Sequence, residues 1–163
     1  MTVSCGGLLI ALTGLSLAGF WLLPGGGVLD LRRLAGGRMQ PVLRPAYGSQ
    51  TLSALLDAYG DMGRGWFGRM LRADLVFPML YATAIWTLVA QHGAPRTHLA
   101  PRMAQAAGIA AAGFDELENM LLLRVLGAYP LRRLGLARLA GVMTLAKTIC
   151  LVMAIGSLAV MNA

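Results

Sequence analysis

One apolar stretch of the chain carries a group of side chains that could do acid–base or ligand chemistry. Asp115, Glu118 and Asn119 are spaced i, i+3 and i+4, which places them on one face of a helix, and Glu116 points about 100° away. The only lysine, Lys147, lies in the next apolar stretch. Ionisable groups in the middle of apolar helices predict a ligand- or ion-binding cluster inside a membrane protein.

The depth of these groups follows from the rise of a helix. If one span covers 104–126, Asp115 lies at the bilayer midplane and Glu118 lies about 4.5 Å toward the cytoplasm. If the next span covers 139–161, Lys147 lies on the cytoplasmic side of its midpoint. We therefore expect Glu118 to pair with Lys147, with Asp115 as the alternative partner.

The cluster has two open interpretations. An unpaired charge at the centre of a spanning helix costs about 2.5–3.5 kcal/mol, so the groups must face the bundle interior and be paired. They could form a structural ion pair that fixes helix register, or a functional site that relays protons, binds a cation or holds a polar head group. Glu116 is expected to meet another helix or a second protomer. We predict no cofactor; a divalent metal on Asp115 and Glu118 is the weaker alternative.

Four apolar stretches must position these groups. The chain has 163 residues, of which 57% are hydrophobic and only 13% charged. Crossing a bilayer takes about 20 residues, and spanning segments of this kind must be helical because lipid offers no partner for backbone groups. We predict an all-α membrane protein, a single domain over 1–163 with four transmembrane helices in a bundle, at about 6–23, 73–91, 104–126 and 139–161.

Arginine placement predicts the orientation. The connections 24–72 and 127–138, with Arg124 at the edge of the second, carry eleven arginines, whereas the remaining connection carries only Arg96 and Arg102. Positive charge stays cytoplasmic, so we expect an inner-membrane protein with both termini outside. The net charge of +7 is then a topology signal, and no nucleic-acid partner is predicted.

The long connection 24–72 is not uniform. Its first half is rich in Gly and Pro and is expected to be irregular. Its second half has helical periodicity, with Ser49 or Thr51 as a candidate cap, and its last part gathers apolar residues and arginines: Trp66, Phe67, Met70, Leu71, Arg64, Arg69 and Arg72. This pattern predicts an amphipathic interfacial helix with its aromatic residues in the headgroup region and its arginines on anionic lipid. The alternative is that the arginines grip a phosphate-bearing substrate.

A second polar group lies at the cytoplasmic start of the second span. Asp74 precedes Pro78 by four residues, which leaves a backbone carbonyl free and predicts a kink, and Tyr81 follows at i+7. Asp74 and Tyr81, with Arg64 and Arg72 nearby, could line a cytoplasmic entrance. Asp74 is placed too far from the midplane to join the cluster, and could instead only cap the span or pair with an arginine.

Three functional hypotheses follow. The first is a non-enzymatic accessory subunit of a membrane complex, or an intramembrane binder of a small ligand. The second is a proton- or cation-coupled transporter that uses Glu118 and Asp115. The third is a lipid-processing enzyme with Asp115 and Glu118 as acid and base and with Arg64 and Arg72 on the head group. Expected partners are anionic lipid and other membrane subunits or further copies of the chain.

Overall fold

The computed structural model describes residues 7–8, 11–16, 27–92 and 98–161, and it is all-helical. A 3₁₀ turn at Pro41–Leu43 lies between the first two of the five helices described in full. These helices are α1 (Val28–Leu34), α2 (Ser49–Asp74), α3 (Phe77–Gln91), α4 (Leu99–Gly127) and α5 (Leu134–Met161).

The described helices overlap the last three predicted spans, with different bounds. Of the predicted first span, residues 7–8 and 11–16 are helical, and the rest lies outside the described residues. α3 has only 15 residues, because residues 75 and 76, just before Phe77, are not helical. This interruption between α2 and α3 lies where Pro78 predicted a kink. α4 and α5 each begin five residues before the predicted boundary.

Two helical stretches within the described residues are long and apolar enough to cross a membrane. They are Ser49–Gln91, counted across its short break, and Leu134–Met161. α4 has 29 residues, but its middle carries three carboxyl side chains. These lengths and compositions are compatible with membrane association.

The prediction that the first half of the long connection is irregular was wrong for α1. Leu31 and its neighbours at helical spacing are fully buried in a core shared with α2. Asp30 lies in the first turn and two arginines in the last, which suits the helix dipole. The helix ends at Leu34, and it is followed by Gly36 and Gly37, whose φ angles of 62° and 84° suit glycine.

The interfacial helix proved to be part of the protein core. α2 bends at Gly60, where φ is 61°, and its second half buries Phe67, Met70 and Leu71 against α4. The aromatic residues were expected to lie in the headgroup region, but the exposed fractions of Phe67, Met70 and Leu71 are 0, 7 and 0%. The helix begins after Gly48 without a side-chain cap, so neither predicted capping residue acts as one.

α4 and α5 form the central pair of the fold. Two apolar cores lie along them: one joins α4 and α5 to α1 and α2, and the other joins them to α3. On α4 the second core ends at Ala112 and the first begins at Leu121. The predicted polar cluster therefore occupies a layer between the two cores.

Candidate functional site

Lys147 lies between two carboxylates in this layer. Its Nζ donates to Asp115 Oδ1 at 2.8 Å and to Glu118 Oε2 at 2.7 Å. The three side chains are 9, 7 and 0% exposed, respectively. The structure thus brings together both partners that the depth argument named for Lys147, with two acids sharing one ammonium.

Two tyrosines bind the outer oxygens of these carboxylates. The Tyr81 hydroxyl, from α3, donates to Asp115 Oδ2 at 3.3 Å, and the Tyr47 hydroxyl donates to Glu118 Oε1 at 3.2 Å. Burial and the negative charge of Glu118 raise the pKa of the Tyr47 phenol, so this group stays protonated and able to donate. Each carboxylate is therefore held between the ammonium and a phenol.

Tyr47 reaches the cluster because α5 has no side chain at Gly141. A Cβ atom built there would lie 2.1 Å from the backbone oxygen of Tyr47. The segment before α2 therefore packs directly on the backbone of α5. One turn further along α5, Thr144 is fully buried and hydrogen-bonds the Ala140 carbonyl at 3.0 Å.

Asp74 belongs to the cluster, contrary to the prediction from its depth. Asn119 Nδ2 donates to Asp74 Oδ2 at 3.2 Å, so the carboxyl at the end of α2 is tied to α4. The prediction from helix rise counted backbone depth alone, whereas the Asn119 and Asp74 side chains reach each other across the two helices. Asn119 Oδ1 is buried and has no hydrogen-bond partner in the described structure.

A cleft of about 470 Å³ opens beside the cluster. Asp115, Lys147 and Tyr81 form its polar wall. Arg44, which belongs to the connection 24–72, also lines the cleft. The remaining wall is mostly apolar, with Phe77 and Leu151 among its residues. The cleft therefore presents both signs of charge to whatever occupies it.

The predicted entrance residues separate into different places. Tyr81 lines the cleft and Asp74 joins the cluster, whereas Arg64 and Arg72 line another cavity between α2 and the end of α4. Glu116 is half-buried and does not pair with Lys147.

The donor set offers little to a metal. No group of three or more His, Cys, Asp and Glu side chains within the described residues could hold a metal ion. The two acids that the sequence named as ligands, Asp115 and Glu118, both bind the Lys147 ammonium.

A second polar network joins α2 to the loop between α4 and α5. Tyr129 donates to Asp57 Oδ1 at 2.9 Å, and Arg132 donates to Asp57 Oδ2 at 2.8 Å. The hydrogen bond to Asp57 raises the pKa of Tyr129. We call Asp57, Tyr129 and Arg132 the clasp; unlike the cluster, its charged groups are exposed, and its tyrosine is half-buried.

Sequence reasoning missed Tyr47, Thr144 and Arg44. Thr144 could have been found, because it lies three residues before Lys147 and therefore on the same helical face. Tyr47 and Arg44 carry no such signal, since they lie in an irregular segment whose position depends on tertiary contacts.

Comparisons of the chain with protein-family models, curated proteins and solved structures find no match. What the arrangement can do must therefore be argued from its own geometry.

Proposed function

We propose that the chain is a four-span inner-membrane protein with both termini outside and with 24–72 and 127–138 in the cytoplasm. Two long apolar helical stretches are compatible with membrane association, and the arginine imbalance of eleven to two favours this orientation. In a cysteine-free background, Asn162→Cys should react with an impermeant maleimide on intact cells. Arg38→Cys should react only after permeabilisation. The reverse pattern would overturn the orientation.

Within that topology, we propose that the protein is a non-enzymatic binder of a small polar ligand in its bundle. The observation that carries this proposal is the cleft of about 470 Å³ with Asp115 and Lys147 in one wall. A purely structural ion pair needs neither a second carboxylate nor an adjoining cavity. Ionisable groups at such depth are a functional site by default.

The wall suggests the chemistry of the ligand. An ammonium has three donors, and two of those on Lys147 are used by Asp115 and Glu118. One donor is thus left for an oxygen of the ligand, and Asp115 can accept a further hydrogen bond. The matching ligand carries a donor and an acceptor close together on an apolar body, which would lie against Phe77 and Leu151.

The test is gentle extraction of the native protein followed by mass spectrometry of everything bound. It is run beside the double variant Glu118→Gln/Lys147→Met, which removes one charge of each sign. A small molecule retained by the wild type and lost from a monodisperse double variant is the expected result. Protein partners bound equally to both forms, with no cluster-dependent small molecule, would overturn ligand binding in favour of an accessory subunit.

A proton- or cation-coupled transporter is the second candidate, favoured by the number of carboxyls. Asp74, Asp115 and Glu118 accompany one lysine, and Asn119 links the first of them to the cluster helix. In proteoliposomes with a pH-sensitive dye inside, Glu118→Gln should abolish a proton flux that the wild type carries. Absence of flux in the wild type under an imposed gradient would exclude proton coupling.

A further inference from the structure

The cavity between α2 and the end of α4 has a different character from the cleft. It has a volume of about 450 Å³ and lies at the end of the molecule that we place in the cytoplasm. Its wall combines two arginines, two glycines, an aromatic ring and a carboxylate: Arg64, Arg72, Gly65, Gly68, Tyr129 and Asp61.

The spacing along α2 places both guanidinium groups beside a notch. Arg64, Gly68 and Arg72 follow one another at i, i+4 and i+8, so they lie along one side of the helix. Each step rises about 6 Å, which two long arginine side chains can cover from opposite ends. Gly68 is packed against α4, because a Cβ atom there would lie 3.0 Å from Leu126 Cδ2. Gly65 lines the cavity too, and a Cβ atom there would meet nothing within 4 Å, so the open space lies at Gly65.

Arg64 is held in place before any ligand arrives. Its side chain is only 16% exposed and pairs with Asp61. One NH group donates to the Leu56 carbonyl at 3.0 Å, and the guanidinium carbon lies 4.0 Å above the centre of the Tyr129 ring. A guanidinium has five donors, so these contacts orient the group and still leave donors for an anion.

We propose that this cavity binds a single phosphate group between Arg64 and Arg72. Asp61 offsets one of the two positive charges, which leaves a net charge of +1 suited to a monoanionic phosphodiester. Guanidinium groups bind phosphate through paired N–H donors, and the open space at Gly65 lets the phosphate oxygens approach. The phosphate could belong to a phospholipid headgroup or be free in the cytoplasm. This assignment does not depend on the cleft.

The sequence predicted that three arginines on α2 bind anionic lipid, but only Arg64 and Arg72 line the cavity. Arg69 is exposed but lies on another face of the helix and is not part of the cavity wall. It therefore provides a matched control, since Arg69→Gln and Arg72→Gln remove the same charge from the same helix.

The experiment titrates the purified full chain in detergent and counts adducts by native mass spectrometry. The probes are short-chain phosphatidylglycerol, the matching diacylglycerol without phosphate, and inorganic phosphate. The wild type should bind one phosphatidylglycerol in preference to diacylglycerol. Arg72→Gln should weaken that binding roughly fivefold, and Arg69→Gln should leave it unchanged.

A steric variant separates the cavity from general surface charge. Gly65→Leu keeps every charge and places a side chain in the open notch, and it should weaken binding at least as much as Arg72→Gln. Competition by inorganic phosphate would assign the site to a free anion, and its absence would assign it to a lipid headgroup. Equal effects of Arg69→Gln and Arg72→Gln, no effect of Gly65→Leu, or equal binding of diacylglycerol would each overturn the proposal.

Discussion

The cluster and the clasp use the same chemistry in different surroundings. Each joins two segments of the chain through an ion pair supported by a tyrosine. The Lys147 side chain is 9% exposed, whereas those of Arg132 and Asp57 are 57 and 41% exposed. Only the cluster lies between two apolar cores and beside a cleft with charged walls.

The difference in burial determines what each ion pair does for the fold. Exposed pairs are screened by water and contribute little to stability. A buried pair costs much desolvation free energy, so losing one partner leaves a charge that nothing compensates. Substitutions in the clasp should therefore change the free energy of unfolding little. Removing a charge from the cluster should lower it strongly unless the opposite charge is removed as well.

Removing the cluster's cation should give the largest effect. Lys147→Met leaves Asp115 and Glu118 facing each other without an ammonium, and it should lower the free energy of unfolding by about 3–5 kcal/mol. Adding Glu118→Gln should restore part of that loss. Thermal unfolding in mild detergent measures both. A single variant as stable as the wild type would show that the cluster is not the charged pair described here.

Separating Tyr47 from the cluster should give the next largest effect. Gly141→Ala places a methyl group 2.1 Å from the Tyr47 carbonyl oxygen, so the segment must move, at a cost of about 1–3 kcal/mol. Gly156→Ala is the matched control, because it lies in the same helix and its Cβ would meet nothing within 4 Å. The same unfolding measurement should find the control unchanged or slightly stabilised. Equal behaviour of the two variants would contradict the close approach.

A conservative change of the other tyrosine should be milder. Tyr81→Phe removes only the hydroxyl that donates to Asp115 and should cost about 0.5–1.5 kcal/mol, because the Lys147 ammonium still binds that carboxylate. It should also weaken retention of the bound ligand, because Tyr81 lines the cleft. A variant that keeps the ligand at wild-type affinity would remove Tyr81 from the proposed binding wall.

Breaking the clasp should give the smallest effect. Arg132→Gln removes an exposed ion pair with Asp57 and should change the free energy of unfolding by less than about 1 kcal/mol. The difference from the wild type should shrink further as salt is added, since exposed charges are screened. A loss comparable to that of Lys147→Met would erase the distinction between the two networks.

The sequence predicted correctly those contacts of the cluster that depend only on helical periodicity and on depth along a helix. The i, i+3 spacing of Asp115 and Glu118, together with the depth of Lys147, anticipated the ion pairs that the structure contains. It failed for Asp74, because depth along a helix does not show that the Asn119 side chain reaches the Asp74 carboxylate. It could not anticipate Tyr47, because only the missing side chain at Gly141 lets that segment reach Glu118.

The same reasoning explains the error over the second half of α2. Aromatic residues followed by arginines predict an interfacial helix when the helix is considered alone. Phe67 and Leu71 instead meet the apolar residues of α4 that follow the cluster, including Leu122. Periodicity identifies an apolar face, and tertiary packing decides whether lipid or protein covers it.

The most direct test of ligand binding is a crystal structure of the protein grown in a lipidic mesophase after gentle extraction. The proposed function predicts non-protein density in the cleft, within hydrogen-bonding distance of Lys147 Nζ and of an Asp115 carboxylate oxygen. A cleft closed by Phe77 and Leu151, or filled only by water, with the ion pairs intact, would contradict it and leave the cluster a structural element.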